Sequence, residues 1–133
     1  MKKDTLITTV GRDPGNNHGI VNPPVYHAST IIYPSVAALE QAQQNRRDGI
    51  KGVYYGRTGT PTTHAFEEAV AALEGGTHCI AMPSGLAAIA GAMIAFLKAG
   101  DHVLMTDNVY DPTKASVCNN TLTKFGIETT YYD

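Results

Sequence analysis

Met82-Pro83-Ser84-Gly85-Leu86-Ala87-Ala88-Ile89-Ala90-Gly91-Ala92-Met93-Ile94-Ala95-Phe96-Leu97 decides the fold. Just before it, His78-Cys79-Ile80-Ala81-Met82 is a short apolar run of buried-strand length. Within it, Leu86, Ile89, Ala90, Met93, Ile94 and Leu97 recur at offsets 0, 3, 4, 7, 8 and 11, which is one stripe of an α-helix. Strand therefore gives way to helix within a few residues. Ser84 suits the N-cap and Gly85 lets another group approach the backbone closely. The first N–H groups and the positive end of the helix dipole then point outward, which makes a seat for an anion such as phosphate. A capped helix with nothing bound fits the same residues, so the neighbouring segments have to decide.

Outward from this stretch, the chain alternates helix and strand. On the amino-terminal side, Thr60 at the N-cap and Pro61 at the first helical position start a helix with the apolar stripe Phe66, Ala69, Val70 and Leu73, ended by Gly75-Gly76. Before it stands Val53-Tyr54-Tyr55-Gly56-Arg57-Thr58-Gly59, a segment of no regular period that presents aromatic and guanidinium groups. By itself it reads as a surface turn. Earlier still, Ser35 caps a helix from Val36 to about Arg47, closed by Asp48-Gly49. Residues 1–34 carry Pro14, Pro23, Pro24 and Pro34 with Gly11, Gly15 and Gly19, and read as an extended arm laid on a neighbouring surface.

On the carboxyl-terminal side, Lys98-Ala99-Gly100 stops the central helix and residues 101–106 form a second buried strand. The loop Asp107-Asn108-Val109-Tyr110 follows. Asp111 and Pro112 open a helix running to Phe125, Gly126 ends it, and a third strand spans Ile127 to Tyr132. Such alternation with short loops is the mark of βαβ units around a parallel sheet, an α/β fold. Ligands of these sheets sit beyond the carboxyl ends of the strands. The Ser84-Gly85 turn and the Tyr110 loop share that edge.

Composition narrows the function classes. The chain has 133 residues, ten basic and twelve acidic, with 43% hydrophobic content. That describes one modest globular domain with no charge excess to attract nucleic acid or a membrane. No leader-like apolar segment follows Met1, and a cytoplasmic protein is expected. Cys79 and Cys118 lack a CxxC partner and read as buried free thiols, and the five histidines (18, 27, 64, 78 and 102) have no metal-ligand spacing.

Tyr55-Gly56-Arg57, Gly59-Thr60-Pro61-Thr62, the helix end from Glu67 to Gly75, Pro83-Ser84-Gly85-Leu86-Ala87-Ala88-Ile89 and Asn108-Val109-Tyr110-Asp111-Pro112-Thr113 occur in that order. Together they resemble the amino-terminal third of the cystathionine β-lyase and cystathionine γ-synthase group of pyridoxal-phosphate enzymes, the fold-type-I Cys/Met-metabolism family. The resemblance runs from about Val10 to the last residue. It implies a fold-type-I, PLP-dependent transferase-like architecture. Residues 1–50 would be the arm and its helix, and residues 51–133 the first part of a large, mostly parallel-sheet domain. In that fold the first strand lies at the far side of the sheet from the second, although sequence order alone would set all three side by side.

The resemblance also implies site roles. Backbone N–H groups of Gly85 and Leu86 would bind the cofactor phosphate, Leu86 standing where methionine is common. Tyr110 would stack on the pyridine ring, and Tyr55 with Arg57 would reach the phosphate of the neighbouring subunit in a homotetramer, a dimer of dimers with shared active sites. No catalytic residue is certain within the chain, since the Schiff-base lysine of the family lies beyond Asp133. The expected reaction of the complete enzyme is β-elimination of L-cystathionine to homocysteine, pyruvate and ammonia, a step of methionine biosynthesis, and the fragment alone is expected to be inactive. Asp111-Pro112-Thr113 after Tyr110 favours the β-lyases over γ-acting relatives, among which γ-synthase and γ-lyase stay open. A non-catalytic phosphate-binding or structural fragment is the alternative from another class. The sequence carries neither GxGxxG nor GxxxxGK[ST].

Overall fold

In the computed structural model, which describes residues 2–133, five helices and two strands follow one another along the chain. They are α1 (Lys3–Thr9), α2 (Val36–Arg47), α3 (Pro61–Glu74), α4 (Gly85–Phe96), β1 (His102–Thr106), α5 (Thr113–Leu122) and β2 (Glu128–Tyr132), with a single 3-10 turn at Gly56–Thr58. The chain divides into two compact units, one ending at Ala81 and the other spanning Met82–Asp133. The division between residues 50 and 51 drawn from the sequence falls inside the first of them.

In the first unit the helix boundaries follow their caps. Ser35 Oγ accepts the Ala38 N–H at 3.1 Å and starts α2. Pro61 occupies the first turn of α3, where its missing N–H costs nothing. Gly75 closes α3 in the left-handed region at φ 71°, donating its N–H to Ala71 O. The expected apolar stripe of α3 is only partly covered: Ala69, Val70 and Leu73 are half-buried and Phe66 is 59% exposed, while the fully buried Ala71 lies outside the stripe.

The amino-terminal stretch departs from the expected extended arm. Residues 3–9 are helical, because that stretch holds no proline or glycine, and Thr8 and Thr9 return hydroxyl bonds to Thr5 O at 2.8 and 3.0 Å. α1 lies against α3. The extended course begins after the turns that end at Gly19. Gly11, at φ 76°, passes so near α3 that an added Cβ would stand 2.8 Å from Ala65 O.

The expected strand at 78–82 joins no ladder, and Ile80 is 78% exposed. A strand exists only through its partner, and the one sheet among the described residues pairs β1 with β2 alone. Residues 78–81 are instead tied down by the Ala81 N–H, which donates to Glu67 Oε1 at 3.0 Å. The ladder joins only the second and third expected strands, so the side-by-side arrangement read from sequence order is not found.

In the second unit β1 and β2 run parallel, in register from His102 opposite Glu128 to Thr106 opposite Tyr132. One face carries the core: Val117, Cys118, Leu122 and Ile127, with Leu86, Ala90, Met93 and Leu97 of α4 and its C-cap packed on it beside Val103, Met105 and Tyr131. The core-facing stripe of α4 is narrower than the six positions expected, since Ile94 is half exposed. The opposite sheet face is open, with Leu104 65% exposed and His102 Nε2 2.8 Å from Thr130 Oγ1.

The helix expected at 111–125 is present but widened. Over Thr113–Leu122 it is wound as a π-helix, and the hydroxyls of Thr121 and Thr123 donate five residues back, to Ser116 O at 2.8 Å and Cys118 O at 3.2 Å. Its buried residues Thr113, Val117, Cys118 and Leu122 repeat every four to five positions, as i→i+5 winding requires. Cys79 and Cys118 are free thiols, the first half-buried and the second buried. Among the described residues no helix is long and apolar enough to cross a membrane.

Candidate cofactor site

Ser84 takes an extended conformation and caps α4, its Oγ accepting the Ala87 N–H at 3.1 Å while its carbonyl accepts the Ala88 N–H at 3.0 Å. Helix geometry leaves the N–H groups of Gly85 and Leu86 ahead of them without intrahelical acceptors, and neither finds a partner among the described residues. A Cβ built on Gly85 meets nothing within 4 Å. Two unpaired amides at the positive end of a helix, facing open space, fit an anion. The Leu86 side chain turns away onto the core, so the position offers its backbone.

Tyr110 stands just past the carboxyl end of β1. Its carbonyl accepts the N–H groups of Thr113 at 2.8 Å and Lys114 at 3.3 Å, so its backbone is fixed by the start of α5, while the residue is 63% exposed. The unit brings this ring and the α4 amino terminus to one edge. The turn after α4 donates the Gly100 N–H to Gly126 O at 2.9 Å, so both helices end where the strands begin. Their amino termini therefore lie toward the strands' carboxyl ends, where parallel sheets bind ligands. Thr113, one turn into this edge, is 1% exposed and its hydroxyl has no partner among the described residues, a feature that no sequence pattern marks.

Tyr55 and Arg57 belong to the first unit. The 3-10 turn between them is closed by the Thr58 N–H and Thr58 Oγ1, which donate to Tyr55 O at 2.8 and 2.9 Å. Arg57 makes no ion pair among the described residues, and its guanidinium carbon lies 5.5 Å from the centre of the Tyr55 ring. The contact holds the side chain loosely and leaves its donors for an incoming anion. Concave spaces in this unit, about 410 Å³ between the arm and α3 and about 570 Å³ beside residues 78–80, are lined by neither residue. Arg57 is exposed and Tyr55 half-buried.

Titration shifts lie elsewhere. Burial, reinforced by the Lys51 ammonium, holds His64 below the usual imidazole range, and a Cβ on Gly59 would overlap its Nε2. Burial, then Cys118, raises Tyr131, whose hydroxyl donates to Asn119 Oδ1 at 2.7 Å.

The profile of the family described as Cys/Met metabolism PLP-dependent enzyme matches residues 4–133. Cystathionine beta-lyase MetC of Escherichia coli K12 is 39% identical over 132 residues, covering 99% of this chain and 33% of that protein. An L-alanine/L-glutamate racemase of Wolbachia pipientis wMel is 38% identical over 140 residues, covering 100% of this chain and 34% of its own length. The crystal structure of a Campylobacter jejuni protein assigned as O-acetylhomoserine (thiol)-lyase superposes with a TM-score of 0.86 at 27% identity, over 100% of this chain and 32% of that one, and contains a pyridoxyl-lysine monophosphate. The chain spans about a third of the length of the relatives it matches.

Proposed function

Because the chain belongs to the Cys/Met metabolism PLP-dependent enzyme family, we propose that the polypeptide carrying it is a carbon–sulfur lyase that converts L-cystathionine to homocysteine, pyruvate and ammonia. The single observation that carries this reading is the pair of unpartnered amides on Gly85 and Leu86 facing open space at the edge that also presents Tyr110. When bound, pyridoxal phosphate supplies the electron sink that makes a proton on the substrate's α-carbon removable. This chain's residues bind and orient it. The amides of Gly85 and Leu86 would hold the phosphate, and the Tyr110 ring would stack on the heterocycle.

Tyr55 and Arg57 hold the phosphate of a neighbouring subunit. The guanidinium fork donates two hydrogen bonds to one phosphate and stays charged at any working pH. Each active site is thereby shared, the assembly is a homotetramer built as a dimer of dimers, and the protein works in the cytoplasm. None of this chain's lysines is assigned the proton-abstracting role; its residues bind and orient the cofactor.

The β-lyase reading is supported by the E. coli relative's name and by Asp111-Pro112-Thr113 after Tyr110. The Wolbachia relative's name supplies the competing outcome, since racemisation needs α-proton removal but expels no thiolate. Incubating the full-length protein with L-cystathionine and, separately, with L-alanine or L-glutamate separates them. Pyruvate and homocysteine in equal amounts support the proposal. Cysteine with 2-oxobutyrate would move it to the γ-acting enzymes, and D-amino acid from alanine or glutamate without pyruvate would overturn it. Tyr110→Ala should lower turnover and shift the cofactor absorption band, whereas an unchanged spectrum would remove Tyr110 from the site.

A further inference from the structure

The Tyr55-Gly56-Arg57 turn is fixed by a distant piece of backbone. The Gly56 N–H donates to Ser29 O at 2.7 Å, and a Cβ on Gly56 would overlap the Ala28 carbonyl and come within 2.9 Å of Ser29 N. No other residue fits there, since the obstacle is main chain and cannot turn aside. Beside it, Ser29 Oγ donates to the Tyr55 hydroxyl at 3.4 Å, and the Tyr33 hydroxyl donates to Tyr54 O at 3.3 Å. The arm itself is anchored at the start of α3, where Thr62 Oγ1 donates to Pro24 O at 2.7 Å and accepts the Tyr26 N–H at 2.9 Å. Residues 24–33 are therefore pinned to α3 by Thr62, clasp the turn at Gly56 and touch it again at Tyr54.

We infer that the Ala28–Ser29 backbone is the positioning element for the Tyr55–Arg57 pair, setting the main-chain register of both residues before any cofactor arrives. The inference rests on the reading of that pair as phosphate ligands. Its reason is geometric. Tyr55 and Arg57 flank the one glycine whose N–H and missing side chain register the turn against the arm. Once that register is set, only side-chain torsions remain to be fixed on binding. Ala28 and Ser29 touch no cofactor in this account. They act through Gly56.

The test uses the full-length protein and compares Gly56→Ala with Arg57→Ala, reading pyridoxal phosphate affinity and the melting temperature of the cofactor-free form separately. Arg57→Ala should weaken cofactor binding at least tenfold with the cofactor-free melting temperature unchanged, and Gly56→Ala should weaken it to a similar degree although Tyr55 and Arg57 are both still present. Loss with Arg57→Ala but wild-type affinity in Gly56→Ala would overturn the positioning role while leaving the phosphate role of Arg57 standing. Wild-type affinity in Arg57→Ala would overturn both. Should Gly56→Ala fail to fold, amide exchange of the wild-type cofactor-free protein decides. A Gly56 N–H protected at least a hundredfold over the free-chain rate supports a preset turn, and exchange at the free-chain rate overturns it.

Discussion

Gly85 and Gly56 stand beside the two sets of proposed phosphate ligands, and the structure uses their missing side chains in opposite ways. Around Gly85 there is nothing within 4 Å of an added Cβ, whereas at Gly56 the same atom would overlap the Ala28 carbonyl. One glycine borders open space and the other lets two stretches of the protein's own backbone meet. The helix-borne site in the second unit is built by local rules, a cap and a dipole. The turn in the first unit depends on a contact between residues 27 positions apart.

That contrast yields predictions in descending order of effect. At Gly85 a methyl group should leave the cofactor-free protein as stable as before, because Gly85 has no positive φ and alanine is the better helix residue. The same methyl should cost cofactor binding about 1–3 kcal/mol by crowding the anion seat. Calorimetry of the cofactor-free protein beside a cofactor titration measures both, and a fall in stability without a fall in affinity would erase the distinction between the two glycines. Ser84→Ala should remove the cap that satisfies the Ala87 N–H and destabilise the fold by about 1 kcal/mol, read from urea unfolding. An unchanged midpoint would mean that the core contacts of α4 hold its first turn without the cap.

The smallest effect concerns His64, whose ring packs against Gly59 at the end of the Tyr55–Arg57 turn. Its folded-state pKa lies below the ordinary value of 6.5, so the unfolded chain binds more protons in between. Its contribution is complete above pH 6.5 and is lost as the pH falls through that value toward the folded one. His64→Gln should flatten this part of the stability profile, whereas a profile parallel to wild type would mean that other groups set it.

Local signals in the sequence located much of the fold. Ser35, Pro61, Gly75 and Ser84 mark the helix ends where the structure has them, since caps and left-handed glycines act within one turn. β1 was legible from its apolar run, and β2 from the glycine that ends the helix before it and from its β-branched and aromatic residues. The unpaired segment at 78–82 was not, because strand formation depends on a partner that a local pattern cannot name. The π-winding of α5 was hidden for a related reason: its residue types suit a helix of either pitch, and which of them are buried, in the spacing of the wider one, is set by packing on Ile127 and α4. Helix α1 was obscured by the prolines and glycines that follow it. At the candidate site the helix start at Gly85 could be read from its cap and periodicity, while Tyr55 and Arg57 stood out only through resemblance. The clasp on Gly56 had no sequence signal, because a glycine in a turn looks the same whether it faces solvent or a carbonyl.

The central claim is that phosphate of the cofactor lies on the free amides at the start of α4. Amide exchange at Gly85 and Leu86 in the full-length protein, measured without and with pyridoxal phosphate, tests it most directly. Both amides should exchange freely in the cofactor-free form and slow by at least tenfold when cofactor is bound, about 1.4 kcal/mol, with Ala87 slow throughout because Ser84 already holds it. Exchange at Gly85 and Leu86 that stays equally fast in the loaded protein would contradict the account.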